Sequence, residues 1–325
     1  MAHPNRLVVL SDVHYASEAE RARGEGYEFR GIPNFWVRGF IRAYRHFVWL
    51  RHPFRQNGLL DQFLEAAGDP DCVVAGGDYS CDSAFVGVSD DAACASVREC
   101  LGKLRGRFGD RLHAVMGDHE LGKVNLAGSQ GGMRLASYRR ACGELNLRPF
   151  WHVELGNYVL MGVTSSLVAL PVFEPDALTE ELTDWRRLRE QHMAEIGAAF
   201  SALRTEQRVL LFCHDPTALP MLASEDAVRR RLHQIERTII GHLHSNLILW
   251  KSRVLTGIPR LRFLGHSVTR MSTALRDARQ WKPFRVLLCP SLAGIELLKD
   301  GGFLAASLDL DGSRPAQFRL HRLRR

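Results

Sequence analysis

Short apolar runs of three to five residues recur along the chain, each followed by a cluster of Asp, His and Gly. They are Leu7 to Leu10, Cys72 to Ala75, Leu112 to Met116, Val209 to Phe212, and Thr238 to Ile240. Unbroken apolar runs bounded by turn residues predict strands buried on both faces. Helical periodicity lies between them. Asn34 is a candidate N-cap for a helix over Phe35 to Arg51, which Pro53 stops. Further helices are predicted over Leu59 to Ala67, 89–107, 133–143, 179–204 and Ala223 to His233, and a strand over Tyr158 to Val163. Three late strands are expected near Val286 to Cys289, Gly294 to Leu298 and Phe303 to Leu308. Strands alternating with helices make this an α/β chain. Without an internal repeat or a Pro/Gly linker, a single domain over 1–325 is the simplest account, with insertions at about 30–57 and 246–285.

Charge changes this picture locally. The net charge is +7, yet residues 30–57 hold six arginines and no acid, and residues 246–285 hold nine basic residues against Asp277 alone. The rest of the chain is therefore net acidic, so the positive charge needs a local explanation. Seven dispersed cysteines suggest reduced thiols in a cytoplasm rather than a disulfide framework. No signal peptide and no apolar stretch of the ~20 residues that span a bilayer is expected, which predicts a soluble or peripheral cytoplasmic protein.

The polar clusters carry the chemistry. In order they are Ser11-Asp12-Val13-His14, Gly76-Gly77-Asp78, Gly117-Asp118-His119-Glu120, His214 with Asp215, and Gly241-His242-Leu243-His244. Strand ends in an α/β sheet deliver side chains into one crevice. Asp and His are ligands for hard-to-borderline divalent cations. Two such cations can clamp a phosphoryl oxygen and generate hydroxide near neutral pH. Asp78, on a glycine-flanked turn, is the natural bridge, and His119 is placed to protonate a leaving group or steady a phosphate. Glu120 and Asp215 are expected to orient ligands through hydrogen bonds.

This order of blocks resembles the calcineurin-like metallophosphoesterases across roughly residues 6–245 and the trailing strands. The resemblance implies a two-sheet β sandwich flanked by helices, with helical insertions, and a dinuclear metal-dependent hydrolase. One metal would be held by Asp12, His14 and His244, the other by Asp118, His214 and His242, with Asp78 bridging and His119 as the catalytic histidine. Mn²⁺ is the expected metal pair, with Fe or Zn²⁺ as alternatives. The chain departs at Asp118, where the family has Asn: a carboxylate still ligates, but it lacks the amide donor and adds charge near an anionic substrate.

The segment 35–51 combines large aromatics with arginines. Trp36, Arg38, Phe40, Arg42, Tyr44 and Arg45 are candidate lipid or substrate contacts, because a basic aromatic helix suits a membrane interface or acyl chains. Within the family, the layout resembles the UDP-2,3-diacylglucosamine pyrophosphohydrolases of lipid A synthesis. That resemblance implies a phosphorylated lipid substrate and peripheral contact with the inner face of the membrane. Two alternatives are a nuclease or nucleotide phosphodiesterase, with basic segments on a nucleic-acid backbone, and a metal-poor protein-binding scaffold. Nucleic acid is the less favoured partner, since the aromatics form a stripe rather than a stacking platform.

Overall fold

The computed structural model describes residues 5–125, 130–243 and 278–324. Within them, ten strands form two five-stranded mixed sheets. In the first, β1 (Asn5–Leu10) pairs in parallel with β2 (Cys72–Ala75), and β2 with β3 (Leu112–Ala114). On its other side β1 is antiparallel to β9 (Gly302–Leu308), which carries β10 (Gln317–Arg322) at the edge. In the second, β4 (Phe150–Leu155) is antiparallel to β5 (Tyr158–Val163). Strands β6 (Arg208–Cys213), β7 (Ile235–Ile240) and β8 (Val286–Leu288) then follow in parallel.

The two-residue period of a strand decides how the sheets pack. Leu7 and Val9 of β1 meet Tyr158, Leu160, Leu210 and Phe212 of the opposite sheet in one buried cluster. Val8 and Leu10 point the other way, into a larger cluster with Val97, Leu101 and Leu104. Those three belong to helix Asp91–Phe108, capped by the Asp90 carboxylate accepting from Ala93 N. Helix Leu182–Ser201 covers the second sheet in the same way, burying Trp185, Ile196 and Phe200. Each sheet thus has one face on its partner and one on helices, so its central strands are apolar on both faces. Trp151 Nε1 donates to Ala114 O (2.9 Å) and ties the sheets together.

Some predicted boundaries move. The aromatic helix ends at Phe47 rather than Arg51, and the segment predicted over Ala223 to His233 breaks at Glu225, whose extended backbone separates Leu219–Ser224 from Asp226–Arg231. Gly294 to Leu298 is no strand: Gly294 has φ +64°, and Leu298 N and Lys299 N both donate to Ile295 O, which closes a turn. β4 and β10 had no apolar run to announce them, since β4 buries only Trp151 and β10 is largely exposed. The basic insertion at 246–285 falls mostly outside the described residues. No helix among the described residues is long and apolar enough to cross a membrane.

Candidate metal centre

Parallel strands bring their C-terminal ends to one rim, and short backbone bonds gather the loops beyond them. Asp12 N donates to Gly77 O (3.0 Å), His14 N to Asp78 O (3.1 Å), and Gly241 N to His214 O (3.1 Å). The crowding requires glycine at two positions. Gly77 has φ +101°, and a Cβ there would lie 2.6 Å from Gly117 N; a Cβ on Gly117 would lie 2.1 Å from Asp78 Oδ1.

Asp12, His14, Asp78 and His242 all have left-handed backbone, with φ of 51°, 49°, 57° and 53°. This conformation costs a non-glycine residue on the order of 1–3 kcal/mol and persists where the surroundings enforce it, often at functional sites. Here it turns four of the predicted ligands off their strand ends toward a shared space.

Donor atoms of Asp78, Asp118, His214 and His242 lie within 4.8 Å of one another, as do those of His14, Asp78 and His119. Asp78 belongs to both sets. His214 Nδ1 sits 2.8 Å from Gly76 O, a pure acceptor, so Nδ1 carries the hydrogen. That leaves Nε2, fully buried, facing Asp78 Oδ2 at 3.1 Å and Asp118 Oδ1 at 3.4 Å without a well-formed hydrogen bond. His242 Nδ1 lies 3.4 Å from the same Asp118 oxygen. Two imidazole nitrogens converging on carboxylate oxygens suit a divalent cation between them.

The buried carboxylates and imidazoles shift one another's titration. Burial opposes protonation of His214, yet Asp78 and Asp118 raise its pKa well above the ordinary histidine value. Burial opposes ionisation of Asp118, but His242 and Lys123 hold its carboxyl well below the usual range. Metal binding would therefore displace protons from the histidines.

Glu120 locks the frame. Its Oε2 accepts from Asp78 N (3.0 Å) and Gly117 N (2.8 Å), and its Oε1 from Tyr79 N (2.8 Å), so one carboxylate joins the Asp78 and Asp118 loops. Burial and the nearby Asp78 charge push it up to about 8. Asp215 is buried, accepts from Thr217 N (2.8 Å), and places Oδ2 3.8 Å from His242 Nε2.

His119 Nδ1 lies 2.9 Å from Ser80 O, which leaves Nε2 facing the site, 3.5 Å from Asp78 Oδ2. Burial pushes this ring down to about 3 against the pull of Asp78, with Lys123 adding to the depression. The Lys123 ammonium contacts Nε2 directly. Lys123 was missed in the sequence; its only signal is a position four residues after His119. The Ser80 carbonyl, which receives both His14 and His119, was missed as well, because a backbone acceptor leaves no mark on residue identity.

Asp12 is buried at the rim, where its Oδ2 accepts from His242 N (3.2 Å); it is in neither donor set. His244 lies outside the described residues. On helix Phe35–Phe47, Trp36 and Phe40 are exposed (74% and 71%), while Arg38 and Tyr44 are half-buried. The Arg42 guanidinium lies over the Phe29 ring at 5.1 Å. Arg45 faces inward and pairs with Glu28 (2.5 Å), both side chains nearly buried, so it anchors the helix.

No family model matches the chain, and no curated protein does. Among solved structures it is similar to a dimetal phosphatase from Danio rerio, at 15% identity over 94% of this chain and 93% of that one, with a TM-score of 0.45. It is also similar to a single mutant of Vps29 from Entamoeba histolytica, at 12% identity over 98% and 99%, with a TM-score of 0.32. A purple acid phosphatase from yellow lupin (Lupinus luteus) seeds matches at 12% identity over 75% and 38%, with a TM-score of 0.34.

Proposed function

We propose that this protein is a metal-dependent phosphoester hydrolase. The observation that carries the reading is the pair of donor sets sharing Asp78, a carboxylate held on a left-handed turn by Glu120. Asp118, His214 and His242 would hold one cation; His14 would hold the other, with Asp12 at its rim and His244 as expected from the motif. Such a pair, when bound, polarises a phosphoryl oxygen and supplies hydroxide near neutral pH.

The chain's own residues do the rest. Gly76 O and Ser80 O fix the tautomers of His214 and His119, so that each presents Nε2 inward. His119 Nε2 and the Lys123 ammonium stand together at the site, so the ammonium can donate to a leaving oxygen and His119 can steady the phosphate. Lys123 also supplies positive charge beside Asp118, whose carboxylate would otherwise repel a phosphate.

The finer reading is a lipid-linked phosphoanhydride, specifically UDP-2,3-diacylglucosamine cleaved to UMP and a lipid monophosphate. Its support is the exposed aromatic face of helix Phe35–Phe47, whose flanking loops pack on the metal-site loops. The test compares turnover of UDP-diacylglucosamine, a bis-aryl phosphodiester and single-stranded DNA, with Mn²⁺, with and without detergent. Detergent-dependent release of UMP supports the lipid substrate. Preferential, salt-sensitive cleavage of DNA would replace it with a nuclease, and no turnover and no bound metal would leave a scaffold. His119→Ala should abolish turnover while metal content persists.

A further inference from the structure

Eight large apolar side chains are exposed among the described residues, and seven belong to two segments distant in sequence. Phe35, Trp36, Val37, Phe40 and Phe47 line the outer side of helix Phe35–Phe47; Leu297 and Leu298 lie on the turn after Gly294. Glu296 N donates to Trp49 O (2.7 Å) and Leu297 N to Val48 O (3.2 Å), which seats that turn against the C-terminal end of the helix. Two separate segments thus build one apolar face. The helix cannot roll it inward, because Ile41 and Arg45 already fill its buried side and Arg45 is paired with Glu28.

The face has a charge and an anchor. No acid occurs across residues 30–57, and Arg38, Arg42 and Arg51 have no carboxylate partner among the described residues. Beneath it, Tyr27, Phe54, Cys81 and Phe85 form a small core with Ala16. Cys81 Sγ lies 3.2 Å from His14 O and 3.5 Å from Pro53 O, linking the helix's exit to the loops that carry His14 and Asp78.

We infer that this face docks on an anionic lipid bilayer, with the aromatics and Leu297–Leu298 in the interface and the arginines at the phosphates. Large aromatics flanked by arginines suit the boundary between headgroups and acyl chains. A second copy is disfavoured, since isologous pairing would press two arginine-rich helices together. The inference deepens the lipid-substrate reading but is measured without catalysis.

The test is co-sedimentation of the full chain with vesicles of phosphatidylcholine alone and mixed with phosphatidylglycerol. Binding should require phosphatidylglycerol and weaken with salt. Arg42→Gln should weaken it about fivefold, the usual worth of one basic residue at an anionic surface. Phe47→Ser and Leu297→Ser should each weaken it about tenfold, with melting temperature and metal content unchanged as the fold control. Failure to bind either vesicle, or binding indifferent to Phe47→Ser and Leu297→Ser, would overturn the inference. So would a concentration-dependent dimer that Phe47→Ser dissolves, since a second copy would then own the face. Metal content and hydrolysis of a soluble diester by the same wild-type sample report on the catalytic reading separately.

Discussion

His214 Nε2 stands 3.1 Å from Asp78 Oδ2, with its other nitrogen bound to Gly76 O. The two residues come from different sheets, so their approach records how the two strand rims meet. A buried imidazole in this posture has room for a proton or a cation.

Glu120 makes the first prediction. It touches no predicted metal directly, yet it accepts three backbone N–H groups that position Asp78 and Gly117. Glu120→Gln replaces one acceptor oxygen with a donor facing an N–H. Mn²⁺ affinity, measured by calorimetry above pH 8 where the carboxylate is ionised, should fall roughly 10–100-fold, as for other groups that hold ligands in place, while far-ultraviolet circular dichroism stays unchanged.

Asp118→Asn separates charge from ligation. The carboxylate is held ionised by His242 and Lys123 against its burial. The amide should bind Mn²⁺ more weakly but donate to an anion. Inhibition by inorganic phosphate should strengthen about tenfold, in line with the ~1.5–3 kcal/mol of a hydrogen bond to a charged group.

Lys123→Ala removes the cation at His119 Nε2. The kcat/KM for a phosphodiester should fall roughly 10–100-fold, on the same ~1.5–3 kcal/mol scale, with metal content retained. The loss should be smaller for a diester whose leaving group is a weak base, which needs little help from a donor; a purely structural lysine would slow both esters equally.

His192 gives a stability prediction remote from the metals. Burial pushes it down to about 4, and its Nε2 accepts from Thr164 N (3.2 Å). Its folded pKa lies below the unfolded value of about 6.5, so the unfolded chain binds the extra proton. Stability is therefore complete above about pH 6.5 and is lost as pH falls toward 4, by about 3 kcal/mol from this group. Urea unfolding between pH 7 and 4.5 should show a shallower loss for His192→Gln than for the wild type.

What the sequence revealed and concealed follows from locality. Asp78, Asp118, His214 and His242 each sit just past an apolar run, so a local pattern places them at a rim. β10 escaped because an exposed edge strand of Gln317, Arg319 and His321 needs no apolar run. Arg42 and Arg45 look alike on the helix; only Glu28, brought in by the fold, makes one an anchor and leaves the other outside. Periodicity likewise finds the aromatic stripe but cannot say whether anything covers it, and Trp36 and Phe40 prove exposed.

The most direct test of the account is anomalous diffraction from crystals grown with Mn²⁺. Two peaks are predicted, one on either side of the Asp78 carboxylate, the first within ligand distance of Asp118, His214 and His242 and the second near His14. Absence of any peak beside Asp78, or retention of both peaks in Asp78→Asn, would contradict a paired metal site built on that residue.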